Sequence, residues 1–193
     1  MAGENRVERR GVGVLYAELR NFTRLSEVLD PAKVMELANE FFTLAARFMT
    51  AHSGKVLAVQ NDSVLGIFTA AADAVVAAQA VQREFPAIGE RWQNEYGLPA
   101  AVALGAHLGE AVLGMAGPPG AQQYVAFGDC VSIAERLVHR ARAGEIVLSH
   151  DLINALGVDP ASIEAKELPP LELARRPAIA IYGIVLETRL DFT

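Results

Sequence analysis

The sequence predicts a single α+β domain of the ferredoxin-like, split βαβ type: an antiparallel-rich sheet with helices packed on one face. Three observations carry this. Short apolar runs and stretches of helical period alternate as strand, helices, hairpin, helix, hairpin, helix and strand. Two turn signals, Asn61-Asp62 and Gly117-Pro118-Pro119-Gly120, join neighbouring strands. The chain has 193 residues, 52% of them hydrophobic, which fills one sizeable core but does not comfortably make two domains. Residues 1–10 read as a charged, polar tail and residues 11–193 as the domain.

Val12 to Ala17 is an apolar run preceded by glycine, the pattern of a buried strand. Arg20 to Thr23 turns the chain, and a helical pattern starts near Ser26. Asp30-Pro31 breaks it and begins a second helix, with Asp30 as N-cap and Pro31 at the first helical position. Val34, Leu37, Ala38, Phe41, Ala45 and Phe48 form its apolar face, and Ser53-Gly54 ends it. Lys55 to Gln60 and Ser63 to Phe68 read as a hairpin whose tip is Asn61-Asp62.

Ala71 to Phe85 is helical, and Pro86 to Pro99 continues as a polar segment without firm assignment. Ala100 to His107 and Glu110 to Met115 read as two strands, and Tyr124 to Phe127 as another. Val131 to Arg142 is a helix, Ile146 to Ser149 a strand, Asp151 to Leu156 a short helix and Ala178 to Leu186 the closing strand.

Composition excludes several classes. The net charge is −6 and no basic stripe runs along a helix, which argues against a nucleic-acid partner. The single cysteine, Cys130, forbids an internal disulfide and points to a reducing, cytoplasmic setting. It reads as a small residue at a strand-to-helix turn. Met1 to Arg10 lacks the pattern of a signal peptide, and the alanine-rich stretch Thr69 to Val81 is too short and too polar-marked to span a bilayer. His52, His107, His139 and His150 are scattered without metal-ligand spacing. There is no Ser-His-Asp order, P-loop or dinucleotide fingerprint.

Three segments carry a resemblance. The first is Leu15 to Thr23, a strand ending in an acidic residue followed by a turn with Phe22-Thr23. The second is the hairpin Gly54 to Phe68, with Asp62 at its tip. The third is Tyr124 to Leu137, including Gly128-Asp129 and Arg136. Leu104 to Glu110, Gly144-Glu145-Ile146 and Ile181-Tyr182 fit between and after them. In this order the segments resemble the class III adenylate and guanylate (nucleotidyl) cyclase domains, from about Val12 to Val185.

The resemblance implies a cyclase-homology fold and a head-to-tail homodimer whose two sites lie at the interface. It also implies two divalent ions, Mg²⁺ or Mn²⁺, activating the ribose 3′-hydroxyl of a nucleoside triphosphate. By position, the metal carboxylates are Asp62 and Glu18, the latter standing where the family has Asp. The extra methylene moves a carboxylate by about 1 Å, a shift that costs roughly 100-fold in rate where geometry is critical. Without a metal, Glu18 is a strand-end carboxylate facing water. The turn carrying Asn21, Phe22 and Thr23 would cradle phosphate with its free N–H groups, or be capped by Thr23 or Ser26.

The base-reading positions hold Ala58 and Val125, which cannot hydrogen-bond, so the expected pocket is apolar and indifferent to purine identity. Ser132 stands at the transition-state asparagine, and losing such a donor costs about 100- to 1,000-fold. Arg136, one helical turn on, keeps the transition-state arginine position; otherwise it pairs on the surface with Glu135 or a neighbouring chain. Arg175 or Arg176 would replace the family's phosphate-binding lysine.

The leading expectation is a catalytically degenerate domain acting as a dimerising nucleotide-binding or regulatory module. An active cyclase of unusual base selectivity is the alternative, and a ligand-free protein-interaction domain the third. A heterodimer with a complementary cyclase domain would restore the missing groups.

Overall fold

The computed structural model describes residues 7–185. It contains one mixed sheet of eight strands in the order β2-β3-β1-β4-β6-β8-β7, with β5 paired to β4. The strands are β1 (Glu8–Arg20), β2 (Lys55–Gln60), β3 (Ser63–Phe68), β4 (Ala101–Ala116), β5 (Gln123–Phe127), β6 (Glu145–Ser149), β7 (Lys166–Leu171) and β8 (Ile179–Val185). The helices are α1 (Phe22–Val28), α2 (Pro31–Ala51), α3 (Ala71–Tyr96), α4 (Asp129–Arg140) and α5 (His150–Leu156). The strand pairs are antiparallel except β4 with β6. The α+β architecture expected from the sequence is therefore present.

One face of the sheet carries the larger core. Leu15, Ala17 and Leu19 of β1 and Val102, Leu104 and Ala106 of β4 pack there against Phe41 and Met49 of α2 and Phe85 and Trp92 of α3. Burying aromatic side chains of this size contributes several kcal/mol by roughly 25 cal/mol per Å². The other face meets α4: Val12, Val14, Ala111 and Leu113 touch Cys130 and Ala134, while Ala103 and Val147 touch Ile133 and Leu137. Gly105 permits this approach, because a Cβ there would stand 2.2 Å from the Val138 nitrogen. The helix covers this face only in part, and Leu57, Leu65 and Tyr124 stay half-buried.

Several boundaries differ from expectation for physical reasons. β1 starts at Glu8, so Glu8 to Arg10 belong to the sheet; Met1 to Arg6 and the predicted strand end at Leu186 lie outside the described residues. The two strands read around Leu108-Gly109 are one strand, β4, because Gly109 pairs in register with Val12 rather than turning. Glycine is needed at 109 since a Cβ would lie 2.7 Å from that of Cys130.

α3 passes through Pro86 to Tyr96 and ends at Gly97, whose φ is 68°. Proline removes one helical hydrogen bond. Phe85, Gly89 and Trp92 all bury on one side, and this carries the helix on. α1 starts at Phe22, earlier than Ser26. β7 carries no strand-like alternation in sequence, and Pro169-Pro170 falls at the register shift between Leu168 and Leu171. Proline is tolerated there because β7 is the edge strand.

Candidate functional site

The C-terminal end of β1 and the β2–β3 tip meet at one end of the sheet. Glu18 pairs in register with Ser63 on β3 and Ala103 on β4. The Leu19 N–H donates to the Asp62 carbonyl at 2.8 Å. The hairpin thus brings the segments bearing Glu18 and Asp62 together, and Asn61, at φ 51°, supplies the left-handed turn that asparagine tolerates.

Glu18 does not face water; it is 9% exposed. Its Oε1 accepts from Arg20 Nη1, and its Oε2 lies 3.2 Å from His139 Nε2. Arg20 Nη2 also donates to the carbonyls of Val138 and Ala141, the latter at 2.8 Å. These are carbonyls at the end of α4, where the helix leaves acceptors without intrahelical donors. Arg20 therefore caps α4 while holding one oxygen of Glu18. Asp62 is half-buried and makes no ion pair among the described residues.

A pair of divalent ions needs two uncommitted carboxylates. Here one of the two has both oxygens engaged by cationic or N–H-bearing side chains. Among the described residues, no group of three or more His, Cys, Asp or Glu side chains is gathered to hold a metal. As folded, Asp62 is the carboxylate of this pair that makes no ion pair among the described residues.

The turn into α1 has Asn21 as N-cap in the left-handed region, φ 68°, with no side chain capping the helix. Asn21 Nδ2 donates to the Pro99 carbonyl at 2.6 Å, fixing the turn to the start of β4. Thr23 is exposed and caps nothing, and Ser26 Oγ donates back to the Phe22 carbonyl at 3.0 Å. Phe22 packs on the main core. The first N–H groups of α1 are thus left without the side-chain cap expected from Thr23 or Ser26.

Ala58 lines a cavity of about 530 Å³ together with Val56, Gln60, Gln123 and Tyr124. Val125 is half-buried on β5 opposite Gly114 and is not part of that lining. Two carboxamides, Gln60 and Gln123, also line this cavity. Each carries both donors and an acceptor. Lys55 Nζ stands 3.4 Å from the centre of the Tyr124 ring, a cation–π contact joining β2 to β5.

Ser132 and Arg136 are exposed on α4, one turn apart, and neither makes a side-chain hydrogen bond or ion pair among the described residues. The pairing of Arg136 with Glu135 is not formed. Glu135 instead faces Tyr16: burial first, and the Glu135 charge second, push the Tyr16 phenol above its usual value. Arg176 is committed to Asp129 through both guanidinium nitrogens, one at 2.7 Å. That contact holds the Asp129 carboxyl below the usual carboxylate range.

Sequence reasoning missed Arg20, His139, Gln60, Gln123 and Lys55. Nothing along the chain signals them, since Arg20 and His139 are 119 positions apart and meet only through the packing of α4 on β1.

The profile of the family "Adenylate and Guanylate cyclase catalytic domain" matches residues 6–184 of this chain. The chain is 32% identical over 137 residues to "Adenylate cyclase 1" of Rhizobium meliloti, covering 67% of this chain and 20% of that protein. It therefore spans about a fifth of that relative's length. Among solved structures, the adenylyl cyclase CyaB from P. aeruginosa superposes with a TM-score of 0.86 at 22% identity, covering 95% of this chain and 98% of that one. The guanylyl cyclase Cya2 superposes with a TM-score of 0.81 at 25% identity over 95% and 96% of the two chains.

Proposed function

We propose, from the premise that this chain belongs to the adenylate and guanylate cyclase catalytic domain family, that it serves as a dimerising, nucleotide-binding module that is catalytically degenerate. The observation that carries this is the commitment of Glu18 to Arg20 and His139. A carboxylate tied into an internal ion pair is a poor ligand, because freeing it leaves the Arg20 guanidinium with only the neutral carbonyls of Val138 and Ala141. The replacement of the transition-state asparagine by Ser132 acts on the same site, where deficits need not add but all count against the rate.

Binding has better support than turnover. The α1 start is uncapped, and the cavity at Ala58 offers the carboxamides of Gln60 and Gln123 to a nucleobase. A carboxamide can turn to present a donor or an acceptor, so this cavity suits purines of either pattern. The partly covered sheet face supports self-association, in which a second copy would bring its exposed Ser132 and Arg136 to the nucleotide.

One set of observations favours a second reading, an active cyclase of non-standard base selectivity. Asp62 and Arg136 are both free of ion pairs among the described residues. The deciding experiment incubates the chain and its Asp62→Ala variant with ATP, GTP, CTP and UTP and Mn²⁺, then searches for cyclic monophosphates by mass spectrometry. The degenerate module gives no product from either protein. Product from the parent, abolished in Asp62→Ala, would overturn that reading and establish the second. Product that persists in the variant comes from a contaminant.

A further inference from the structure

Alternate residues of β1 meet α4 near its C-terminal end. Tyr16, Glu18 and Arg20 share one side of the strand, because side chains two apart point the same way. Tyr16 packs against both apolar clusters beneath α4. Glu18 meets His139, and Arg20 meets the carbonyls of Val138 and Ala141. His139 stands one turn beyond Arg136 and two beyond Ser132, so these three lie on one side of the helix.

The end of α4 differs from those of its neighbours. α3 and α5 end on Gly97 and Gly157, at φ 68° and 65°, the left-handed turn that brings a backbone N–H to the last carbonyls. α4 ends instead on Ala141 in extended backbone, φ −67° and ψ 142°. The Ala141 N–H reaches the Leu137 and Val138 carbonyls, and the Arg20 guanidinium supplies the further donors at Val138 and Ala141. Gly105, the register partner of Tyr16, lets the Val138 backbone lie directly on the sheet at this level. The last turn of α4 is therefore seated tightly, with Arg20 as its side-chain cap.

A guanidinium presents five N–H donors in a rigid plane, so one side chain serves a carboxylate and two carbonyls at once. The ion pair it makes is shielded, the side chains of Arg20 and Glu18 being 24% and 12% exposed. Separating the two would leave each charge unpaired where water reaches it poorly, which is costly. While the α4 carbonyls keep Arg20 in place, Glu18 stays paired. One side chain thus links the state of Glu18 to the position of a helix that carries Ser132 and Arg136 on its exposed side.

We infer that Arg20 is a positioning residue that acts as a latch: anchored on the last turn of α4, it holds the Glu18 carboxylate away from divalent cations, so that cation binding and the seating of α4 oppose one another. This rests on the reading of Glu18 and Asp62 as the cation carboxylates of a degenerate domain, and it adds the helix that controls one of them. The coupling is reciprocal: drawing the last turn of α4 off β1 frees Glu18, and a cation that takes Glu18 loosens that turn.

The test is a titration of the whole chain with Mn²⁺ in the absence of nucleotide, read by electron paramagnetic resonance, beside amide hydrogen exchange read by NMR. Arg20→Gln should bind Mn²⁺ at least about tenfold more tightly than the parent, the worth of one hydrogen bond between charged groups. Removing a residue that only props the fold would not raise the affinity. The gain should vanish when Glu18→Gln is added to Arg20→Gln. A gain that survives there comes from lost positive charge beside Asp62 and overturns the latch. The Arg140 and Ala141 amides should exchange faster in Arg20→Gln, and saturating Mn²⁺ should speed them in the parent. Unchanged affinity in Arg20→Gln, or unchanged exchange at these amides, would overturn the proposal. Arg20→Lys keeps the charge and loses the planar fork, so it should show part of both effects. Should Arg20→Gln fail to fold, Arg20→Lys decides the matter, and parent-like affinity there would overturn the latch. None of these measurements depends on turnover. A parent that makes cyclic product overturns the degenerate reading and leaves the latch to be judged by Mn²⁺ alone.

Discussion

His107 is a titratable residue placed where charge is expensive. Its ring is shut between the sheet and α4, and burial lowers its pKa from an ordinary value of about 6.5. The unfolded chain therefore takes up a proton in a range where the folded chain does not. Stability is then fully present above about pH 6.5 and falls as pH drops below it toward the folded value. Urea unfolding measured between neutral and mildly acid pH should show this decline. His107→Gln, which removes the titration, should flatten that part of the profile; an unchanged slope would assign it to other groups. Glu18 teaches the complementary lesson. Its position as a carboxylate at a strand end is readable from the run Leu15 to Thr23, while its pairing with Asp62 comes only as what the family resemblance implies, because the turn at Asn61-Asp62 sets the register of β2 on β3 and not that of β1. Its partners were not readable. Arg20 looked like a turn residue and His139 like an isolated histidine until α4 lay across β1.

At the level of elements, buried polar joints decide which helices and strands hold together. Gln82 lies on the buried side of α3, 3% exposed. Its Nε2 donates to the Gly144 carbonyl at 2.6 Å and to the Ile184 carbonyl at 3.0 Å. One side chain thus ties α3 to the turn before β6 and to β8. Gln82→Leu keeps the volume and removes both donors, which should cost about 1–3 kcal/mol, the range for leaving buried acceptors unpaired. Chemical denaturation gives this directly, and a change below about 0.5 kcal/mol, the range of ordinary surface substitutions, would mean that water replaces the amide there. The elements also show where periodicity informs and where it misleads. α2 was legible because Asp30-Pro31 marks its start, and the Asp30 side chain does accept the Ala32 N–H at 2.9 Å. β4 was split in two because Gly109 looks like a turn; its real cause is contact with Cys130, and contact leaves no mark on a linear pattern. β7 was missed because prolines in a strand are acceptable only at an edge, and edges are a property of the sheet.

For the whole molecule, the uneven covering of the sheet is the dominant fact. One face is sealed by α2 and α3, while the other has α4 over part of its width. On that side Leu57, Leu65 and Tyr124 remain half-buried. Apolar area of this kind, continuous with a core, is characteristic of a surface that meets another protein. A second copy of the chain is the occupant proposed above, and a symmetric contact would place the same patch on both sides. Sedimentation equilibrium should then give twice the chain mass for the parent. Leu57→Asp with Leu65→Asp should return it to the mass of one chain by burying charge at the contact. Both positions are half-buried in the single chain, so the separated chains should stay folded with a lowered midpoint of thermal unfolding. A parent that sediments as one chain at every concentration would remove the self-association on which the proposed function depends. A parent dimer untouched by both substitutions would move the contact to another part of the surface.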